Sequence, residues 1–247
     1  MVLNPANPRP ATADDTARAR EIAASWQDNA AAWTEAVRGQ AIESRRVATD
    51  AAIVNAVLAR RPALTLDLGC GEGWLVRALT GHGFEAVGVD GSAPLVEAAT
   101  KAHGGTFYCL SYESIVEAPA RCGEGFDLVV ANFALLDADV VPLLAALRAV
   151  MTADATLLIQ TVHPLNVAPP HEDGWRTEDF RGFGETAWTP MPWYFRTLAS
   201  WVGTLRDAGF ALAGLEESSH PDDGRPLSLL LAARPASLSK ESVPGAR

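Results

Sequence analysis

Between Leu64 and Val76 the chain reads Leu-Thr-Leu-Asp-Leu-Gly-Cys-Gly-Glu-Gly-Trp-Leu-Val. An apolar run broken only by Asp67 reads as a short strand buried on both faces, as parallel sheets require. Gly69, Gly71 and Gly73 then fall at alternate positions, directly before a helical pattern set by Leu75, Val76 and Leu79. Glycine has no Cβ and tolerates positive φ, so such a turn can press its backbone against a ligand at a helix N-terminus. A second apolar strand, Ala86 to Val89, ends in Asp90, about 20 residues further on. An acidic side chain there can hold both ribose hydroxyls of a nucleoside. The chemistry these residues permit is therefore the binding of a nucleoside-bearing small molecule.

A dinucleotide fingerprint needs its third glycine one place later, for close helix packing and for the pyrophosphate. Trp74 occupies that place. Gly69, Gly71 and Gly73, preceded by Asp67, instead resemble the first motif of class I S-adenosylmethionine-dependent methyltransferases. The resemblance continues through Gly88-Val89-Asp90-Gly91-Ser92 and through Phe126-Asp127-Leu128-Val129-Val130-Ala131-Asn132, and spans roughly residues 60 to 235. It implies S-adenosylmethionine as cofactor, held by Asp67, Gly69, Cys70, Gly71, Gly73, Asp90, Gly91, Ser111, Tyr112, Asn132 and Phe133. In the family an acidic residue often stands where Ser111 does, so adenine recognition here is expected to rest on the Ser111 hydroxyl or on the backbone around Tyr112. N-terminal helices commonly lie over the cofactor in this family, which points to Trp26, Trp33, Arg45 and Arg46, with Arg45 as the cofactor-binding candidate among them.

Strand and helix signals alternate through the centre of the chain. Strands are expected at Leu64–Leu68, Ala86–Val89, Thr106–Leu110, Phe126–Ala131 and Ala155–Val162, separated by helices that include Val140–Val150. That alternation implies a parallel sheet with right-handed crossovers and a ligand crevice at the strands' C-terminal edge. Phe210–Glu216 and Pro226–Ala233 would then close the sheet as an antiparallel hairpin. The expected fold is α/β: a Rossmann-like, seven-stranded, mostly parallel sheet with helices on both faces. Residues 1–60 read as a tail and helical lid, with one helical face over Thr12–Val37 and a second helix over Ile42–Ala59. Residues 61–235 read as the methyltransferase domain and 236–247 as a second tail. Residues 164–195 break the rhythm with Pro164, Pro169, Pro170, Pro190 and Pro192 and with Trp175, Trp188 and Trp193. A long connection without a clean period is expected to cap a binding site.

Methyl transfer from a sulfonium is an in-line displacement whose reactivity comes from the cofactor. The protein must position a nucleophile and exclude water. His163, at the end of the fifth strand, is the candidate catalytic base. Trp188, Trp193, Tyr194 and Arg196 are candidates for the substrate pocket, rings excluding water while one cation orients a polar group. No Cys-x-x-Cys or His-Glu-x-x-His spacing occurs, so no metal is expected.

In 247 residues, 48% are hydrophobic and 20% charged, which suits a globular domain with a large core. A formal net charge of −10 gives no Lys/Arg surface for a phosphate backbone, and no nucleic-acid partner is expected. Cys70, Cys109 and Cys122 are odd in number and lie near core elements, which fits reduced thiols and a cytoplasmic setting. No apolar run is long enough to span a bilayer. The resulting expectation is transfer of a methyl group to an O or N atom of a small, aromatic or partly apolar metabolite. A non-catalytic protein that binds S-adenosylmethionine or S-adenosylhomocysteine is the first alternative, and an NAD(P)-binding oxidoreductase the second. The oligomeric state is left open.

Overall fold

In the computed structural model, residues 12–236 are described. The two expected terminal tails lie almost wholly outside them. Helix α1 (Ala13–Asp28) starts at Thr12, whose hydroxyl accepts from the Asp15 amide while the Asp15 carboxylate reaches back, a reciprocal cap of the first turn. Helix α2 (Ala30–Arg38) follows, so the single helical face expected over 12–37 is broken at Asn29. Asn29 is 2% exposed, and its side-chain amide is spent on Ser25 and Thr189, outside any helical ladder. The next helix also departs from expectation. It opens with a π-helical turn, Arg45–Thr49, and becomes α3 only over Asp50–Arg60.

From there the chain alternates: β1 (Leu64–Leu68), α4 (Trp74–Gly81), β2 (Glu85–Asp90), α5 (Ala93–Lys101), β3 (Thr106–Cys109), α6 (Tyr112–Glu117), β4 (Phe126–Asn132), α7 (Val141–Leu147) and β5 (Met151–Val162). After an insertion come α8 (Leu198–Asp207), and strands at Phe210–Ser219 and Pro226–Pro235. Numbered in chain order with the insertion's two strands, β6 (Gly174–Glu178) and β7 (Met191–Phe195), these last are β8 and β9. The sheet order is β3-β2-β1-β4-β5-β9-β8, seven strands, with β9 antiparallel to both its neighbours. The expected Rossmann-like architecture is present.

Both faces of the sheet are covered. Leu66, Leu68, Val129, Leu157 and Ile159 pack with Ile115, Leu144 and Trp201 from α6, α7 and α8. Leu128, Val130, Leu158 and Leu230 pack with Ile53, Val57, Leu75 and Val76 from α3 and α4. Burial on two sides is why the strand sequences show little polar alternation. The insertion has structure of its own: β6 and β7 pair antiparallel as a separate two-stranded sheet. Proline-interrupted segments on either side of these short strands hid their period from the sequence.

Candidate functional site

The strand ends at Leu68, Asp90, Cys109, Asn132 and Val162 share one edge of the sheet, and a cavity of about 840 Å³ opens along it. Its floor is the turn after β1. The amides of Gly69 and Cys70 donate to the Val89 carbonyl at 2.8 and 3.0 Å, which draws the turn against β2. Asp90 completes the turn: its carboxylate accepts from the Gly71 amide at 2.9 Å and the Ser92 amide at 2.7 Å. Gly69 has φ +72°, and a Cβ there would lie 2.5 Å from the Ala134 Cβ, so the loop after β4 presses on the turn. Only glycine meets both demands.

The same face of the sheet as α3 carries Asp67, Asn132 and Gln160, which alternate along their strands with the apolar residues of the opposite face. Gln160 donates to the Thr49 carbonyl at 3.0 Å and to Ser228 at 2.8 Å, anchoring the π-helical turn over the sheet. Such turns occur often at functional sites. Arg45 is 9% exposed; its Nε meets Asp50 at 2.9 Å and its guanidinium lies over the rings of Trp74 and Trp33. Its Nη2 is buried without a partner. Burial, with the neighbouring Asp90 charge adding and the Arg45 charge opposing, pushes the Asp67 carboxyl from 3.8 up to about 7.

Two covers close the cavity. From α1 and α2 come Trp26 and Trp33, edge to face at 5.1 Å. From the insertion come Phe180, Phe183 and Trp193. Phe180 and Trp188 stack at 4.5 Å, and Phe180 meets Trp26 edge on. Asn29 and Thr189 exchange two hydrogen bonds, each 2.8 Å. Glu72, fully buried in the glycine turn, accepts from Arg77 and from Arg38 of α2, each at 2.7 Å. The first cover is thereby tied to the turn it roofs.

Of the residues singled out from the sequence, Arg45, Asp67, Gly69, Cys70, Gly71, Asp90, Gly91, Ser111, Tyr112, Asn132, Phe133 and Trp193 line this cavity. The Ser111 hydroxyl is engaged as the cap of α6, accepting from the Ser114 amide, and the Tyr112 hydroxyl donates to the Ala134 carbonyl. Arg46 does not line it, and five of the candidate site residues also stand elsewhere. Gly73 lets α4 pack closely, since a Cβ there would meet the Phe107 ring at 2.6 Å. Trp188 and Tyr194 pack against Phe180 and Trp175 inside the cover. Arg196 is 4% exposed between the Tyr194 and Trp201 rings and donates to the Asp137 carbonyl. His163 corrects the expectation of a base. Its Nδ1 accepts from the Leu165 amide, so the proton sits on Nε2, which meets Glu217 at 2.7 Å. No lone pair is left to take a proton from a ligand, and the ring lies outside the cavity wall.

Glu72, Asn29, Phe180, Phe183 and Asp137 were missed in the sequence. Glu72, inside the glycine motif, is the one whose position could have drawn notice. The others gain their roles only through partners distant in the chain.

The comparisons with known proteins agree with this geometry. Residues 65–154 match the methyltransferase-domain family. A 70-residue stretch is 37% identical to an uncharacterized methyltransferase of Schizosaccharomyces pombe, covering 28% of this chain and 26% of that relative's length. Among solved structures, an S-adenosylmethionine-dependent methyltransferase from Mesorhizobium loti superimposes with a TM-score of 0.55 at 23% identity, over 73% of this chain and 96% of that one. The 1,6-didemethyltoxoflavin-N1-methyltransferase of Burkholderia thailandensis does so with 0.59 at 20% identity, over 94% of each chain. Residues 65–154 thus carry a methyltransferase domain, and the fold around it is the one found in S-adenosylmethionine-dependent methyltransferases. Among the described residues no helix is long and apolar enough to cross a membrane.

Proposed function

We propose that the protein methylates an O or N atom of a small, aromatic or partly apolar metabolite. The observation that carries this is one continuous cavity joining the glycine turn and Asp90 to an aromatic cover. The residues fit the cofactor on two independent counts. The turn after β1 leaves room that a Cβ would fill, and the unpartnered Nη2 of Arg45 offers a buried donor to an anionic group. Asp90 would hold the ribose hydroxyls, Arg45 the cofactor's carboxylate and Asp67 its ammonium group. The backbone around Ser111 and Tyr112 would face the adenine, because the Ser111 hydroxyl is already spent as a helix cap. When bound, the cofactor supplies an electrophilic methyl group on a sulfonium.

The chain's own residues do the rest. Trp26, Trp33, Phe180 and Trp193 keep water from the reacting groups. Pockets for small ligands are mostly apolar with a few placed polar groups, and this cavity is of that kind. The Burkholderia thailandensis enzyme, which shares this fold, was solved with 1,6-didemethyltoxoflavin and S-adenosylhomocysteine bound.

Calorimetry with S-adenosylhomocysteine, combined with S-adenosylhomocysteine release across a panel of ring-bearing alcohols and amines, tests the reading. The wild type should bind the cofactor product and turn over part of the panel. Trp193→Ala should lower turnover by tenfold or more while cofactor affinity stays within about twofold. Equal loss of both would place Trp193 in the fold's packing and leave the acceptor site elsewhere. Binding with no turnover would favour the non-catalytic alternative.

A further inference from the structure

With His163 turned away, the cavity still needs a group to hold the acceptor's N–H or O–H and to receive its proton. Resting on the methyltransferase reading above, we propose that Asp137 is that group and that Arg196 is the residue which positions it.

The carboxylates and other titratable groups in the wall sort by location. Asp67 and Asp90 lie at the ends of β1 and β2, on the glycine turn. Glu113 lies in the first turn of α6, beyond β3. Burial holds the Cys70 thiol and the Tyr112 hydroxyl well above their ordinary values, so both are neutral. Arg176 is spent on the carbonyls of Trp175, Pro170 and Glu172. Glu178, on the cover, accepts from the Phe180 amide at 2.7 Å. Asp137 alone of the acids belongs to the loop directly after β4.

That loop touches every part the reaction must bring together. Ala134 abuts Gly69, and the Tyr112 hydroxyl is bound to the Ala134 carbonyl. The Tyr194 amide of β7 donates to the Leu136 carbonyl at 2.8 Å, so the cover docks on the same loop. At its end Arg196, buried between two rings, grips the Asp137 backbone carbonyl. Asp137 Oδ1 accepts from the Ala138 amide, and the Asp139 amide also supports the carboxylate, which lines the cavity wall. The cavity's claim on a ligand is independent of this acid, because Thr49, 1% exposed, leaves its hydroxyl unpartnered in the same wall.

Asp137 sits among opposed influences. Burial dominates and leaves its carboxyl raised above the ordinary value, the Asp139 charge adding to the rise, while the Ala138 and Asp139 amides and the Arg196 charge limit it. The guanidinium therefore does two things. It fixes the loop by a charged hydrogen bond and favours the ionised carboxylate, the form able to accept a proton. In the step itself, the bond from the acceptor N or O to the methyl carbon forms as the carbon–sulfur bond breaks. The bonding pair stays on sulfur, and the acceptor's proton passes to Asp137 and then to water.

The test uses two probes of similar shape. 2-Naphthol offers an O–H and is neutral at pH 7, whereas 2-naphthoate presents a carboxylate. Each is titrated into the complex of the full-length protein with S-adenosylhomocysteine. The wild type should bind 2-naphthol at least tenfold tighter than 2-naphthoate. Asp137→Asn should shrink that preference by tenfold or more, and Asp137→Glu should restore most of it. Arg196→Met should lower the preference in part, with Arg196→Lys recovering it, a pattern that simple loss of packing would not give. For any acceptor found in the panel, Asp137→Asn should cut kcat by about 10²–10⁴-fold with little change in KM. An unchanged preference in Asp137→Asn, with S-adenosylhomocysteine binding intact, overturns the role of Asp137 and leaves the methyltransferase reading standing. Failure of the wild type to bind S-adenosylhomocysteine overturns both.

Discussion

Asp67 and Asp90 stand at the ends of neighbouring strands, yet their surroundings treat them differently. Asp90 is buried, which raises its carboxyl, but the Ser92 and Gly71 amides donate to it and oppose that rise. Asp67 has burial and the Asp90 charge against it and only the Arg45 charge in its favour, which takes it to about 7. The sign of the consequence follows from linkage. Between 3.8 and about 7 the folded state holds a proton that the unfolded state has lost. The ligand-free protein therefore loses stability as pH rises through that window. Binding reverses the advantage, because an ammonium group beside Asp67 needs the ionised carboxylate. Affinity for S-adenosylhomocysteine should then climb by up to ~tenfold per pH unit below 7 and level off above it. Calorimetry from pH 5.5 to 8.5 checks this. Asp67→Asn should flatten the profile, and a flat wild-type profile would remove Asp67 from cofactor binding.

At the scale of elements, the two covers behave as one clasp. They come from segments far apart in the chain and meet through Asn29 and Thr189, through Trp26 and Phe180, and through Trp175, whose indole N–H donates to Asp15. Asn29 is the latch. Truncating it removes both of its bonds to Thr189, whose carbonyl keeps only the Ser25 hydroxyl at 3.5 Å, at a cost of about 0.5–1.5 kcal/mol for each bond lost. That cost falls on the closed covers rather than on the sheet. In Asn29→Ala, amide exchange should speed up together in 13–38 and in 174–195, while β1, β4 and β5 keep their protection. Faster exchange in only one of the two segments would mean that the covers move independently.

For the molecule as a whole, a ligand held under both covers ties their stability to that of the sheet. S-Adenosylhomocysteine at a hundred times its dissociation constant should add about 2.7 kcal/mol. For a chain of this size that corresponds to a rise in Tm of about 5–10 °C. NADH at the same concentration should leave Tm unchanged, since Trp74 under the Arg45 guanidinium occupies the place where a dinucleotide turn needs glycine. A shift with NADH and none with S-adenosylhomocysteine would reinstate the oxidoreductase alternative. Scanning fluorimetry of the full chain is sufficient to see either.

The central sheet and the glycine turn were legible in the amino-acid sequence because their determinants are local. Two-sided burial writes itself as short apolar runs, and a turn that needs positive φ and no Cβ writes itself as Gly69 and Gly71. Strand length alone brings Asp90 to the sheet edge. The closing hairpin was legible for the same reason, with β8 running three residues past its expected end. What the sequence could not show are relations between residues far apart in the chain. Asn29 meets Thr189 across 160 positions, and His163 meets Glu217 across 54. The facing of His163 toward Glu217, away from the cavity, depends on how β8 and β9 stack beside β5. The burial of Arg196 depends on α8 and β7 packing together, and the exposure of Asp137 to the cavity depends on the loop that Arg196 holds. Such facts are decided only when the elements close on one another, because a side chain's partner is set by packing and charge in three dimensions and leaves no period in the chain.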